Sequence, residues 1–163
     1  MKALVVYSSQ TGNTKKLAEA VYETLTCEKE IFPVADAPDP AGYDLVALGF
    51  WFQAGKPDPK SAEYMARVKD NKVFLFATHG AAVGSDHVKN ALEHARGLIP
   101  RAEVLGSFTC QGEVNPKVLE KVKAKPTPPP WIADADNAVG HPDQNDLDGL
   151  KQAFKDAAPA FTG

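Results

Sequence analysis

The sequence predicts an α/β fold, a doubly wound sheet of five parallel strands with helices on both faces. Five short apolar runs alternate with stretches of helical spacing, as consecutive β–α units do. The first run ends in a hydroxyl-rich loop that leads directly into a helical pattern (residues 5–16). With 163 residues the chain is long enough for one core and short for two, so we expect a single domain over residues 1–163.

The predicted strands are continuous apolar runs, because strands of a parallel sheet are buried on both faces. The second strand has the weakest pattern and is predicted at an edge of the sheet. The strands are predicted at residues 2–7, 29–34, 43–50, 73–78 and 102–109. The predicted helices carry apolar residues three or four positions apart. They are expected at residues 14–25 and 60–70, from the Ser85-Asp86 cap to Pro100, at residues 116–123, and from about residues 143–146 onward.

One connection is unusually long for a compact domain. Residues 124–142 carry no helical or strand periodicity, and such segments are often functional or loosely held. Three consecutive prolines, residues 128–130, favour an extended polyproline II path.

Composition excludes several classes of function. The net charge of −3 argues against a nucleic-acid-binding protein, which would present a basic face. No apolar run approaches the ~20 residues that span a membrane, and no signal-peptide pattern follows the N-terminus, so we expect a cytoplasmic protein. Cys27 and Cys110 are too few for a disulfide framework and are expected as buried thiols. The four histidines lack metal-ligand spacing, so no metal is expected.

The loop after the first strand has the composition of an anion cradle. A strand that runs into a helix N-terminus brings backbone N–H groups and the positive end of the helix dipole to one point. Ser9, Thr11 and Thr14 add hydroxyls, and Gly12 permits a tight turn. The loop lacks G-x-G-x-x-G and the Walker pattern, and it contains no Lys or Arg. It therefore suits a phosphate monoester; the alternative is an ordinary turn rich in capping residues.

The residues S-S-Q-T-G-N-T (8–14), after a strand that ends in Tyr7, resemble the phosphate loop of the flavodoxin family. That loop usually reads S/T-x-T-G-N-T and wraps the phosphate of FMN. The resemblance extends to the order of elements over residues 1–123 and the last helix. It implies FMN as the cofactor and a flavodoxin-like strand order of 2-1-3-4-5, in which the first, third and fourth strands are neighbours.

Three loops should then converge at the carboxyl ends of these strands, where ligands bind in doubly wound sheets. The first offers donors for a phosphate, the second two aromatic surfaces, and the third small residues with accessible backbone. A ligand with a phosphate at one end and a flat ring at the other fits all three. The candidate cofactor-binding residues are Ser9, Gln10, Thr11, Gly12, Asn13, Thr14, Trp51, Phe52, Gln53, Ala54, Gly55, Thr78, His79, Gly80 and Ala81.

The second and third loops depart from the family pattern. The third loop lacks the Tyr that covers the outer flavin face in flavodoxins, and the second reads G-F-W-F-Q-A-G-K. Trp51 is expected either to stack on the flavin or to pack against the helix at 60–70. His79 is expected either to fix the backbone or to touch the flavin. For Trp131, the sequence favours surface packing over a flavin contact.

The expected function is electron transfer. No Ser/His/Asp set, carboxylate pair or metal cluster is predicted at this edge, so no catalytic residue is assigned. The resemblance implies an FMN-binding carrier that shuttles electrons between redox enzymes through the semiquinone and hydroquinone. A carbonyl at Ala54-Gly55 is expected to accept a hydrogen bond from reduced flavin N5–H, with Gly55 permitting the peptide flip. The expected partners are donor and acceptor reductases. The protein is expected to be a monomer and to bind neither nucleic acid nor a membrane.

Two other functions remain open. One is a small FMN-dependent reductase of a quinone or another aromatic acceptor, for which the missing Tyr leaves an open flavin face. The other is a binding module that has lost flavin, which the intact S-S-Q-T-G-N-T loop opposes.

Overall fold

A computed structural model describes the whole chain, residues 1–163. Its strands are β1 (Lys2–Tyr7), β2 (Glu28–Pro33), β3 (Leu45–Gln53), β4 (Lys56–Pro57), β5 (Lys72–His79) and β6 (Glu103–Gln111). The five long strands pair in parallel in the order β2-β1-β3-β5-β6, and β4 pairs antiparallel with the end of β3. The predicted doubly wound sheet and its order are confirmed, because β5 and β6 are the fourth and fifth long strands.

The helices cover both faces of this sheet. They are α1 (Asn13–Thr24), α2 (Pro59–Met65), α3 (Asp86–Gly97), α4 (Pro116–Lys123), α5 (Gln144–Ala157) and α6 (Pro159–Thr162). The predicted helix at 60–70 is too long: α2 ends at Met65, and Val68 still reaches the core from the turn that follows. None of the helices combines the length and apolarity needed to cross a bilayer.

Alternate residues of β1 face two separate cores. Ala3 and Val5 pack on one face, in a cluster with residues of α1 and α5. Leu4 and Val6 pack on the other face, in a cluster that includes α2 and α3. All four side chains are at most 2% exposed. Burial on both faces explains why this strand reads as a continuous apolar run.

The strand β3 runs three residues further than predicted. Trp51, Phe52 and Gln53 were expected in a turn, but they continue the strand, because the chain folds back and pairs Phe52 and Gln53 with β4. The tight reversal lies at Ala54 and Gly55, with φ of 52° and 75°. Positive φ at both central residues is typical of hairpin turns that follow the twist of the strands.

The long connection, taken as the whole segment from the end of β6 to the start of α5, folds back onto the sheet edge. It contains α4 and a 3₁₀ helix, Pro130–Ala138, which the sequence did not predict. The Gln111 side-chain amide donates to the carbonyls of Gly80 and Asp134, at 3.2 Å each. Glu113 N–H donates to His141 O at 2.9 Å. These bonds fasten the connection across the carboxyl ends of the strands.

The start of α5 is closed by a polar cluster. Asp143 and Asp146 form a reciprocal capping box, in which each carboxylate accepts from the other's backbone N–H. His141 Nδ1 donates to Asp146 Oδ2 at 2.6 Å, and this bond raises the pKa of His141. The three side chains bring ligand-type atoms within 4.8 Å of one another, but capping accounts for their arrangement.

Candidate functional site

A cavity of about 490 Å³ lies at the carboxyl edge of the sheet. It is in the usual size range of small-molecule sites. Fourteen of the fifteen residues that the sequence singled out line it, and Gly12 is the exception. The three predicted loops therefore converge. Their lining residues are Ser9, Gln10, Thr11, Asn13, Thr14, Trp51, Phe52, Gln53, Ala54, Gly55, Thr78, His79, Gly80 and Ala81.

The first loop presents free backbone donors at the N-terminus of α1. The N–H groups of Ser9, Gln10 and Thr11 donate to no acceptor in the protein. Gly12, the N-cap, has φ of 91° and provides no side-chain cap, and the first turn of α1 carries no acidic residue. Free N–H groups and the positive end of the helix dipole therefore face a point where no carboxylate of the helix competes. This geometry favours an anion.

The hydroxyl of Thr14 is bonded to a neighbouring strand. The sequence assigned it to the anion cradle, and in the structure Thr14 Oγ1 lies 3.0 Å from Thr78 Oγ1 at the end of β5. Both side chains are buried, at 1% and 4% exposure. The pair joins the start of α1 to β5, and its one remaining hydroxyl proton is available to an occupant.

The long connection also holds the first loop. Asn13 Nδ2 donates to Glu113 O at 3.0 Å. A Cβ on Gly112 would lie only 2.7 Å from Asn13 Nδ2, so any larger residue there would displace the Asn13 amide from this position. The cradle is thus fixed on one side by residues that follow β6.

Two aromatic side chains from β3 form one wall. Trp51 lines the cavity and is only partly buried, and its stacking on a flavin stays a prediction. The Phe52 ring stacks on His79, with centroids 5.1 Å apart and planes at 27°, and it also contacts His87 at 6.1 Å. The wall offers flat apolar surface to a planar ligand.

His79 has a fixed tautomer. Its Nδ1 lies 2.9 Å from Ala81 O, and a carbonyl can only accept, so Nδ1 carries the proton and Nε2 is an acceptor. Burial lowers the pKa of His79 to about 4, against the backbone hydrogen bond that favours the protonated form. The ring is therefore neutral near pH 7. Of its two predicted roles, fixing the backbone of the third loop is the one seen directly.

A second wall of the cavity was not predicted. A Cβ on Gly80 would lie 3.0 Å from Val114 and 3.1 Å from Trp131, so both side chains pack directly on the third loop. The expectation for Trp131 was surface packing rather than a flavin contact; the residue is only partly buried, and it also lines the cavity. The only sign of this wall in the sequence was the length of the connection, and that length does not predict where its side chains lie. The lining residues missed are His87, Gly112, Glu113, Val114, Asn115, Val118, Val122, Lys125, Pro129 and Trp131.

Two residues that line the cavity also carry a buried polar atom without a partner, Trp51 Nε1 and His79 Nε2. The first is a donor only, and the second, in its fixed tautomer, an acceptor. Leaving such groups unpaired costs about 1–3 kcal/mol each. A ligand with a phosphate at one end and a flat ring at the other supplies what the cradle and the aromatic wall lack. FMN fits that description.

Comparison with known proteins independently indicates the same family. The model of a family described as "Flavodoxin domain" matches residues 4–155. The flavodoxin-like domain-containing protein BilS of Clostridioides difficile (strain CD3) is 39% identical over 130 residues, which are 77% of this chain and 72% of that protein.

Solved structures show the same fold. Oxidised Flavodoxin 2 from Bacillus cereus aligns with a TM-score of 0.67 at 16% identity, covering 99% of this chain and 100% of that one. A flavoprotein in complex with FMN from Lactobacillus acidophilus NCFM aligns with a TM-score of 0.56 at 20% identity, covering 66% of this chain and 92% of that one.

Proposed function

Since the chain belongs to the flavodoxin family, FMN is its cofactor, and we propose that it holds FMN in this cavity and carries electrons between redox proteins. The proposal rests on one observation, namely that two features occur in the same cavity. Unpaired N–H groups at the start of α1 suit a phosphate, and an aromatic wall suits a flat ring.

The phosphate end is assigned to the first loop. The N–H groups of Ser9, Gln10 and Thr11 and the Thr11 hydroxyl would donate to the phosphate oxygens. Hydrogen bonds to a charged group are worth about 1.5–3 kcal/mol each, so a few of them hold a monoester without a lysine. Gly12, with φ of 91°, keeps the backbone in the turn that aims these donors.

The ring end is assigned to Trp51, Phe52 and the third loop. Bound FMN supplies the chemistry, because it accepts and releases electrons one at a time. Trp51 and Phe52 exclude water from one side of the ring and lower the local dielectric constant, which disfavours added negative charge. His79 stays neutral above its pKa of about 4 and so places no compensating positive charge nearby. The hairpin at Ala54-Gly55 lines the same cavity and offers backbone groups to the ring edge.

A second function, reduction of an apolar small molecule by bound FMN, is favoured by one observation. The cavity extends beyond the three loops to an apolar surface from the long connection, which includes Val114, Val118, Val122 and Pro129. An apolar acceptor has room to lie there. The carrier remains our proposal because the cavity contains no carboxylate pair or nucleophile–base pair in hydrogen-bonding contact that would serve an acid–base step.

One set of measurements tests the proposal. FMN is titrated into apoprotein, and the two one-electron potentials of the complex are then measured by stepwise reduction. We expect a stoichiometric complex whose two potentials are well separated from those of free FMN. Failure to bind FMN would refute the proposal. Rapid oxidation of a nicotinamide nucleotide by a quinone in the presence of the complex would favour the reductase.

A matched pair of variants tests the cradle. Loss of one hydroxyl bond to the phosphate in Thr11→Ala is expected to weaken FMN binding about 10- to 100-fold. Thr127→Ala removes another exposed hydroxyl, one that does not line the cavity, and it is expected to leave FMN affinity unchanged. Equal affinities for the two variants would contradict the assignment of Thr11.

A further inference from the structure

The helix α4 is an exposed basic helix beside the cavity. Four lysines and one glutamate give residues 116–125 a net charge of +3, in a chain whose net charge is −3. No residue of α4 is buried. The helix therefore contributes little to the core, and its charge pattern is open to a partner.

The lysines fall along one line of the helix. Lys117, Lys121 and Lys125 are four residues apart, so they follow one another on the same side of α4 and its C-terminal turn. No carboxylate oxygen lies within 4.0 Å of any of their ammonium groups, whereas Lys123 pairs with Asp136 at 3.8 Å. The acidic residues nearest to these lysines along the chain are Glu113 and Glu120, and both are exposed.

The same edge of the sheet exposes apolar side chains. Apart from Met1, the large hydrophobic residues that are exposed are Val83, Val118 and Val139, at 62%, 45% and 64%. Val83 lies in the loop that leaves β5, and Val118 lines the cavity. Val139 precedes Gly140, whose N–H donates to the carboxylate of Glu113, a lining residue, at 3.4 Å. Apolar side chains bordered by charge are typical of protein–protein interfaces.

We propose that the docking face of the protein is the lysine line of α4, together with the exposed apolar side chains at the same edge of the sheet, and that it binds a redox protein that presents acidic side chains around its own redox centre. The inference rests on the proposed function and names the partner's chemistry. A protein surface is indicated rather than a small anion, because Lys117 and Lys121 lie outside the cavity, where a molecule inside it would not meet them. Charge complementarity of this kind raises association rates by about 10- to 1000-fold at low salt.

The test uses the FMN complex, reduced without oxygen and mixed with four oxidants in a stopped-flow instrument. These are neutral benzoquinone, ferricyanide as a small anion, an acidic cytochrome of the b5 type and a basic cytochrome of the c type. We expect the acidic cytochrome to be reduced faster at low salt than at high salt, by about tenfold or more. The basic cytochrome should show a flat or opposite salt dependence.

Two charge-reversal variants locate the effect. K117E/K121E is expected to lower the low-salt rate with the acidic cytochrome about tenfold and to abolish its salt dependence. K69E/K155E makes the same change in net charge with two exposed lysines that have no acidic partner within 4.0 Å, at the opposite edge of the sheet. It should change that rate less than twofold. Circular dichroism and FMN content verify that both variants are folded.

The outcomes separate the two proposals. If reduced complex transfers electrons to no oxidant, benzoquinone included, the proposed function fails and the docking face falls with it. If benzoquinone is reduced but the basic cytochrome is preferred, or K117E/K121E behaves like K69E/K155E, the docking face alone is overturned. A loss in K117E/K121E that affects ferricyanide but neither cytochrome would also overturn it, in favour of a small anion.

Discussion

Replacing Thr78 with valine should destabilise the apoprotein by about 1–3 kcal/mol. Valine has nearly the shape of threonine, so packing is retained, but Thr14 Oγ1 loses its only hydrogen-bond partner in a site that is 1% exposed. The stated cost is that of a buried polar group left unpaired. In a chain of this size each kcal/mol lowers the melting temperature by roughly 2–4 °C. Thermal unfolding of FMN-free protein, followed by circular dichroism, measures the change.

The double variant distinguishes this hydrogen bond from a general effect of valine. Thr14→Val should cost a similar amount, and T14V/T78V should cost clearly less than the sum of the two, because no hydroxyl is left unpaired. Thr24→Val in the same helix is the matched control. Its hydroxyl bonds to Ala20 O, which keeps its helical hydrogen bond, so we expect a smaller loss. If the two single costs add up in the double variant, the hydroxyls are not partners and the reasoning fails.

Three further predictions concern other parts of the fold. In Gly49→Ala, the new Cβ would lie 2.2 Å from the Phe76 ring, so we expect a loss of about 1–3 kcal/mol in urea unfolding. His141 has a pKa raised by its bond to Asp146; its contribution to stability is therefore complete below its ordinary value of 6.5 and is lost as pH rises through the raised pKa. His141→Gln should remove this part of the pH dependence of the melting temperature. Burial raises the pKa of the Cys110 thiol, so it should react with a thiol reagent only after unfolding.

Each of these predictions has a clear contrary result. Wild-type stability in Gly49→Ala would mean that Phe76 moves aside at no cost. An unchanged pH profile in His141→Gln would show that the bond to Asp146 is energetically neutral. Rapid labelling of Cys110 in the folded protein would show that the thiol is reached through local opening.

The sequence predicted the sheet and the cradle because their signals are local. The strand β1 and the loop after it are one continuous pattern of residues, and a parallel sheet with covered faces follows from repeated β–α units. The hairpin was missed for a local reason as well. Its second strand, Lys56–Pro57, is two residues long and contains proline, so it carries no strand periodicity. Trp51 and Phe52 therefore resembled the start of a turn.

The second wall of the cavity, which contains Trp131, could not be predicted in the same way. Trp131 reaches Gly80 because Gln111 and Glu113 fasten the connection across the sheet edge, and such long-range bonds leave no periodic mark. Residues 124–142 were recognised only as too long and too irregular for an ordinary link. A tryptophan in an irregular segment can lie in many places on the protein, and only the packing of the folded chain determines which one it occupies.

The segment between β6 and α5 has an anchored part and an exposed part. Its first residues hold the first loop, because Asn13 Nδ2 donates to Glu113 O, and its 3₁₀ helix buries Ala135 and Ala138. The helix α4, by contrast, buries none of its residues. Substituting the exposed side chains of α4 alone is therefore a way to change the surface beside the cavity while the contacts that hold the first loop stay in place.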